Sequence, residues 1–210
     1  MTVQPRTDAG PELAGRRVVL RPLAAADWRA WREVRTRCQD WLTSWEPMRS
    51  PRSPDVVGDP AAFASRCAAR DRERHLGVGY GFGIFVARRL AGEVNLSNVQ
   101  RGPMQNAYVG YWVDEALAGQ EYVPEAVAVV FRFAFEELAL HRLQIAIVPR
   151  NQASRRVVEK LELREEGIAR RYLEINGVWE DHVRYAITAE EWQDRRPTYA
   201  ARWLGDGDEQ

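Results

Sequence analysis

Between a β-branched run ending at Val113 and the proline at Pro124 lies the segment Asp114 to Val123 (DEALAGQEYV). A connection of this kind can turn several backbone N–H groups toward an anion, helped by the positive end of the helix that Pro124 opens. It holds one glycine, Gly119, a weak phosphate signal, so on spacing alone a plain connecting loop is favoured over a phosphate grip. Downstream, Asn151 stands where it would cap a helix carrying Ser154 in its first turn, since a cap side-chain oxygen accepts from a free backbone N–H. Upstream, Trp41 to Asp59 (WLTSWEPMRSPRSPDVVGD) contains three prolines. It is too broken for a long helix and too aromatic for a plain linker, and reads as a mobile loop over a site. Other chemistries are disfavoured. Lys160 is the sole lysine and sits in a helical charge pattern beside Glu159, a poor setting for a Schiff base. Cys38 and Cys67 lack CxxC spacing, so neither a disulfide framework nor a metal site is expected. His75 and His141 read as surface or packing residues, while His182 falls on the last strand, where it could face a site.

These residues need a scaffold. The 210 residues exceed the roughly 150-residue domain prior by less than half. One domain over 16–193 is therefore expected, with flexible tails at 1–15 and 194–210. The 30 acidic side chains cancel the 30 basic ones, all but one of them arginine, leaving no net field to draw a nucleic acid. With 45% hydrophobic and 29% charged residues, the chain has the composition of a packed globular protein. Its longest apolar stretches, such as Val127 to Phe135, are broken by Arg132 and fall short of the ~20 residues that span a bilayer. No leader pattern opens the first fifteen residues. A cytoplasmic protein without a membrane partner is expected.

Hydrophobic period then gives the element order. A strand at Arg17 to Pro22 precedes a helix at Asp27 to Arg37, with Trp28, Trp31 and Val34 at helical spacing. Pro60 opens a second helix to Arg74, whose RDRER run reads as a solvated face. Three strands follow as an antiparallel meander, Gly81 to Ala87, Gly92 to Val99 and Ala107 to Val113. Next come a helix from Pro124 to Ala139, a strand at Arg142 to Val148 and the Asn151-capped helix to Leu161. A hairpin ends the order, Ile168 to Ile175 and Val178 to Ile187, turned by Asn176-Gly177. This is an α+β chain, with a mixed, mostly antiparallel twisted sheet flanked by helices and a central strand-helix-strand crossover.

Ordered phrases along this frame resemble the RimJ/RimL type of the GNAT acetyltransferase superfamily over roughly residues 16 to 193. They include Val109-Gly110-Tyr111-Trp112-Val113, Phe133-Ala134-Phe135-Glu136-Glu137-Leu138, Pro149-Arg150-Asn151-Gln152-Ala153-Ser154, and Ile175-Asn176-Gly177-Val178-Trp179 with Asp181-His182. The amino-terminal Leu20-Arg21-Pro22-Leu23 and the Trp45-Glu46-Pro47 loop agree with them. The resemblance implies an acetyl-CoA-dependent N-acetyltransferase, without a metal, acting on a protein N-terminal α-amine by direct transfer in a ternary complex. A small-amine acceptor is the alternative on the same fold. The implied assembly is a monomer or homodimer.

The same resemblance implies a site. Backbone of Tyr111, Trp112 and Val113 would hold the thioester where the central strand splays from Arg142 to Val148. Amides of Ala118, Gly119, Gln120, Glu121, Tyr122, Val123 and Pro124 would hold the pyrophosphate. Asn151 would bond the pantetheine arm, Ser154 would protonate the departing thiolate, and Arg155, with Arg150 and Arg156, would supply positive charge. The base is not identified by the resemblance; Glu93 on the central strand is the first candidate, with Tyr108 and Glu46 behind it, and Trp45, Glu46 and Tyr108 would meet the acceptor. One departure stands out: the family's second loop glycine is Glu121 here. A carboxylate near a pyrophosphate is repulsive, so a weakened module that only binds acyl-CoA or protein is the third reading.

Overall fold

Residues that alternate in sequence alternate across one eight-stranded sheet. In the computed structural model, which describes residues 10–48, 50 and 52–205, the strands are β1 (Leu13–Ala14), β2 (Val18–Arg21), β3 (Tyr80–Val86), β4 (Arg89–Gln100), β5 (Asn106–Val113), β6 (Arg142–Ile147), β7 (Arg164–Ile175) and β8 (Val178–Thr188). Their order is β1-β2-β3-β4-β5-β6-β8-β7. Every neighbouring pair is antiparallel except β5 with β6. That parallel pair is joined by α4 (Tyr122–Arg132), the expected crossover. Asn176 and Gly177 turn the final hairpin with φ of 47° and 85°, the positive pair a tight type I′ turn requires.

The two faces carry different residues. Leu20, Phe82, Ile84, Val94, Leu96 and Val109 are buried on one face, under α4, whose residues Val123 to Phe131 are all buried. Glu125 in that helix accepts from the backbone N–H groups of Arg17 and Val18, fixing β2 to the helix. On the other face lie α1 (Trp28–Arg37) and α3 (Pro60–His75), followed or preceded by the short α2 (Gln39–Thr43) and the loop to Asp59. Trp31, Phe63, Phe85 and Leu90 form a second core there. Asp59 caps α3 by accepting from Ala61 N at 2.8 Å, with Pro60 at the first helical position. Within its charge run, Arg70 pairs with Glu73 and Arg74 with Asp71.

Both expected tails are corrected. Residues 1–9 and 206–210 lie outside the described residues, but Leu13 and Ala14 pair with Leu20 and Val19 as an edge strand. At the other end, α6 (Ala189–Tyr199) runs past residue 193 into a wider helical turn, Ala200–Leu204. Tyr199, Trp203 and Leu204 are buried, and Tyr199 packs on Phe131 and Trp192. The helix after β5 is likewise shorter than expected: it widens at Phe133–Glu137.

Candidate active site between the splayed strands

The parallel pairing of β5 and β6 stops after Tyr108 and Gln144. Beyond that point Val109 to Val113 still pair with β4, but their β6-facing edge has no strand partner. A cavity of about 880 Å³ occupies the gap and reaches from the start of α4 to the loop after α2. Gly92 holds β4 against β5 at its rim, because a Cβ there would run into the Trp112 carbonyl oxygen.

At one end lies the Asp114 to Val123 connection. Gly119, at φ +81°, has open space where a Cβ would stand. The N–H groups of Gly119, Glu121, Tyr122 and Val123 make no backbone bond among the described residues, as first-turn donors do not. Glu121 itself adopts a left-handed φ of 67°, the conformation that favours glycine. Its carboxylate turns to Lys160 Nζ at 2.5 Å, with Arg202 Nη2 at 3.6 Å. The Lys160 hydrogen bond, aided by Arg202 and Arg17, holds this carboxyl below the usual carboxylate range.

Expectations for four residues at this end are corrected. Pro124 lines the cavity but has no N–H to offer an anion. Gln120 and Arg155 do not line it: the Gln120 backbone N–H donates to Leu117 O at 3.4 Å and its side-chain NH₂ to Ala116 O at 3.2 Å, and Arg155 Nε donates to Tyr185 OH at 3.3 Å. Arg150 is committed elsewhere, to Glu180 at 2.5 Å and to the Trp45 ring at 4.8 Å. The cations that face Glu121 are Lys160, Arg202 and Arg17, two of them from segments at the far ends of the chain.

In the middle, Tyr111, Trp112 and Val113 line the gap opposite α5 (Gln152–Lys160). Asn151 caps α5 by accepting from Ser154 N at 3.0 Å, which leaves its NH₂ without a partner among the described residues. Tyr111 donates its hydroxyl to Ser154 O at 3.2 Å. Burial pushes the Tyr111 phenol well up, so it serves as a neutral donor. Both Asn151 and Ser154 line the cavity.

The far end is built from the second face of the sheet. Glu93, 3% exposed, accepts from Trp31 Nε1 at 2.6 Å and Arg66 Nη2 at 2.5 Å, one donor on each oxygen. Glu46 is held by Arg35 through two bonds of 2.5 and 2.6 Å. Trp45 and Glu46 lie over this end, where Asn176 N donates to Glu46 O at 2.9 Å, so the loop and the β7–β8 turn meet above the cavity. Tyr108 does not line it; its hydroxyl accepts from Tyr172 at 3.3 Å. His182, 2% exposed, does line it. Spacing does not single out Arg35 or Arg66, and it reads Lys160 only as a poor Schiff-base residue; their partners Glu46, Glu93 and Glu121 lie 11, 27 and 39 positions away.

The arrangement suits a long thioester donor: an unpaired strand edge for an amide-bearing arm, a free amide nest with cations for phosphates, and an enclosed end for an amine. The family model described as Acetyltransferase (GNAT) domain matches residues 17–164. A Bacillus subtilis protein named "Probable N-acetyltransferase YjcK" is 36% identical over 177 residues, 83% of this chain and 96% of that protein. Ribosomal protein uS5-alanine N-acetyltransferase of Escherichia coli is 29% identical over 167 residues, 78% of this chain and 84% of that protein. Among solved structures, Mycobacterium smegmatis RimJ in complex with CoA-disulfide aligns with a TM-score of 0.80 at 32% identity, covering 86% of this chain and 88% of that one. By sequence and by fold, the chain belongs to the GNAT acetyltransferase family.

Proposed function

We propose that the protein moves acetyl from acetyl-CoA to the α-amine of a protein N-terminus, directly within a ternary complex. The observation that carries this reading is the charge of the acceptor end. Both carboxylates that line it, Glu46 and Glu93, are already paired with Arg35 and Arg66. A polyamine or aminoglycoside brings several cations and needs uncompensated carboxylates to receive them. A single ammonium needs less: one orienting carboxylate and the faces of Trp45, Trp112 and Trp31, which the cavity provides. The Escherichia coli relative, named for an alanine of ribosomal protein uS5, supports the same class of acceptor, and the cytoplasm is the corresponding place of action.

In this reading the Tyr111 to Val113 backbone holds the thioester oxygen, and the Asn151 NH₂ holds the donor's amide arm. The free amides of Gly119, Glu121, Tyr122 and Val123, with Lys160 and Arg202, receive the pyrophosphate. Ser154 protonates the departing thiolate, and Glu93 and Glu46 orient the incoming ammonium. Glu121 is neutralised by Lys160, which favours turnover over a module that only binds. The test is acetyl transfer to short peptides with varied first residues beside spermidine. Transfer to peptide α-amines with little to spermidine is expected; the reverse preference would overturn the acceptor assignment.

A further inference from the structure

We propose that His182 is the proton acceptor for the attacking amine. This rests on the amine-acceptor reading above. Three observations lead to it. First, the acidic candidates are occupied: each oxygen of Glu93 and of Glu46 already accepts from an indole or a guanidinium. Second, His182 is the one histidine that lines the cavity, and register puts it at the acceptor end. Arg184 on β8 pairs with Ala146 on β6, so His182, two residues earlier, lies beyond the last β6 pair, beside the open splay. Alternation puts it on the sheet face that carries Glu93 and Trp112.

Third, the ring is oriented. Its Nδ1 stands 3.0 Å from the Glu180 carbonyl oxygen. A carbonyl only accepts, so in the neutral imidazole Nδ1 carries the hydrogen and Nε2 carries the lone pair. Nε2 has no partner among the described residues, and the residue lines the cavity. The Tyr172 ring meets the imidazole edge-on at 5.8 Å and fixes its plane. The other charged or titratable groups around it are Glu180, paired with Arg150, Arg184, bonded to Gln144, Tyr108, and across the cavity the Glu93–Arg66 and Glu46–Arg35 pairs.

The step balances as follows. One proton of the ammonium passes to His182 Nε2, directly or through one water, and then to solvent. The amine nitrogen bonds to the acetyl carbon, the carbon–sulfur bond breaks, and a second nitrogen-bound proton ends on the thiol by way of Ser154. One proton is released per turnover.

The test uses the full-length protein, acetyl-CoA and the best peptide of the panel above. H182N keeps a donor for the Glu180 carbonyl and removes the lone pair. Removing a general base costs about 10² to 10⁴ in rate, so kcat/KM at neutral pH is expected to fall at least about 100-fold, with CoA affinity by calorimetry unchanged. The deficit should shrink as pH rises past about 8, where an α-amine is already neutral; a purely structural loss would not shrink. H141Q, at an exposed histidine outside the cavity, should leave the rate unchanged. Independently of activity, the long-range ¹H–¹⁵N spectrum of the wild-type protein should show His182 unprotonated at Nε2 in its neutral form. Wild-type rates in H182N, a pH-independent deficit, or a proton on Nε2 would each overturn the assignment. A wild-type protein inactive on every peptide would instead overturn the acceptor reading.

Discussion

Replacing Glu121 should tighten CoA binding while leaving the fold intact. The residue is held at φ 67°, a conformation that costs a non-glycine residue about 1 kcal/mol. Its ion pair with Lys160 is about one-third exposed on both sides, and pairs of that exposure contribute about 0.5 kcal/mol. For E121G the two changes nearly cancel in stability. Binding is different, because the carboxylate lies beside the amides that would receive a pyrophosphate. Two like charges roughly 6 Å apart repel by about 0.7 kcal/mol in water and about 3 kcal/mol at an effective dielectric of 20. At this exposed loop the lower part of that range applies, about 1 kcal/mol, or roughly fivefold in Kd. Calorimetry with CoA on wild type, E121Q and E121G separates the contributions. E121Q removes the charge and keeps the backbone strain; E121G removes both. Both variants should bind about fivefold tighter at low salt, and the advantage should fade at 1 M salt, where the screening length is about 3 Å. If E121Q binds no tighter than wild type, the electrostatic reasoning is wrong.

Ser154→Ala should lower kcat about ten- to a hundredfold, the low end for acid catalysis because a thiolate leaves readily, with KM for acetyl-CoA unchanged; full kcat would remove its proposed role. Asp27 accepts from Arg21 through two bonds of 2.8 Å and from Ala24 N at 2.8 Å. Burial opposes its charge, yet these donors win and hold its carboxyl below the ordinary value of 3.8. The stabilisation is therefore complete above that value and lost as pH falls through the lower folded one; Asp27→Asn should cost about 2 kcal/mol at pH 7 and flatten the acid limb of a pH series of urea melts. Truncation after Gln193 removes buried Tyr199, Trp203 and Leu204, at about 2 kcal/mol each. The sum approaches the whole stability of a domain, so the truncated chain should show no cooperative thermal transition.

Elements whose specification is local were legible in the sequence. The Asn176-Gly177 turn, the Pro60 start of α3 and the Asn151 cap each depend on residues a few positions apart, and the crossover between β5 and β6 followed from the order strand, helix, strand. The C-terminal helix was not. Trp192, Tyr199 and Trp203 recur at helical spacing, but Pro197 interrupts them and normally ends a helix. Their burial depends on Phe131 and Phe135 of a remote segment. The cavity showed the same division. Its backbone parts followed from strand, loop and cap, whereas its charges did not: Lys160 meets Glu121 across 39 positions and Trp31 meets Glu93 across 62. No period or motif encodes such pairs.

The near-exclusive use of arginine has a consequence for an enzyme that acetylates amines. A guanidinium stays protonated and is no acceptor at neutral pH, so 30 cationic side chains leave one side-chain amine on the whole protein. That amine, Lys160, lines the donor cavity and donates to the Glu121 carboxylate at 2.5 Å. Its attack on a thioester would require breaking this pair. The same substitution of arginine for lysine lets Arg35 clamp Glu46 through two bonds at the acceptor end, a fork that an ammonium cannot form. The carboxylates at both ends of the cavity are thus neutralised locally. Under the proposed function, the acceptor end must select a single ammonium by shape, and at the donor end Arg202 and Arg17 stand near Glu121 beyond its Lys160 partner.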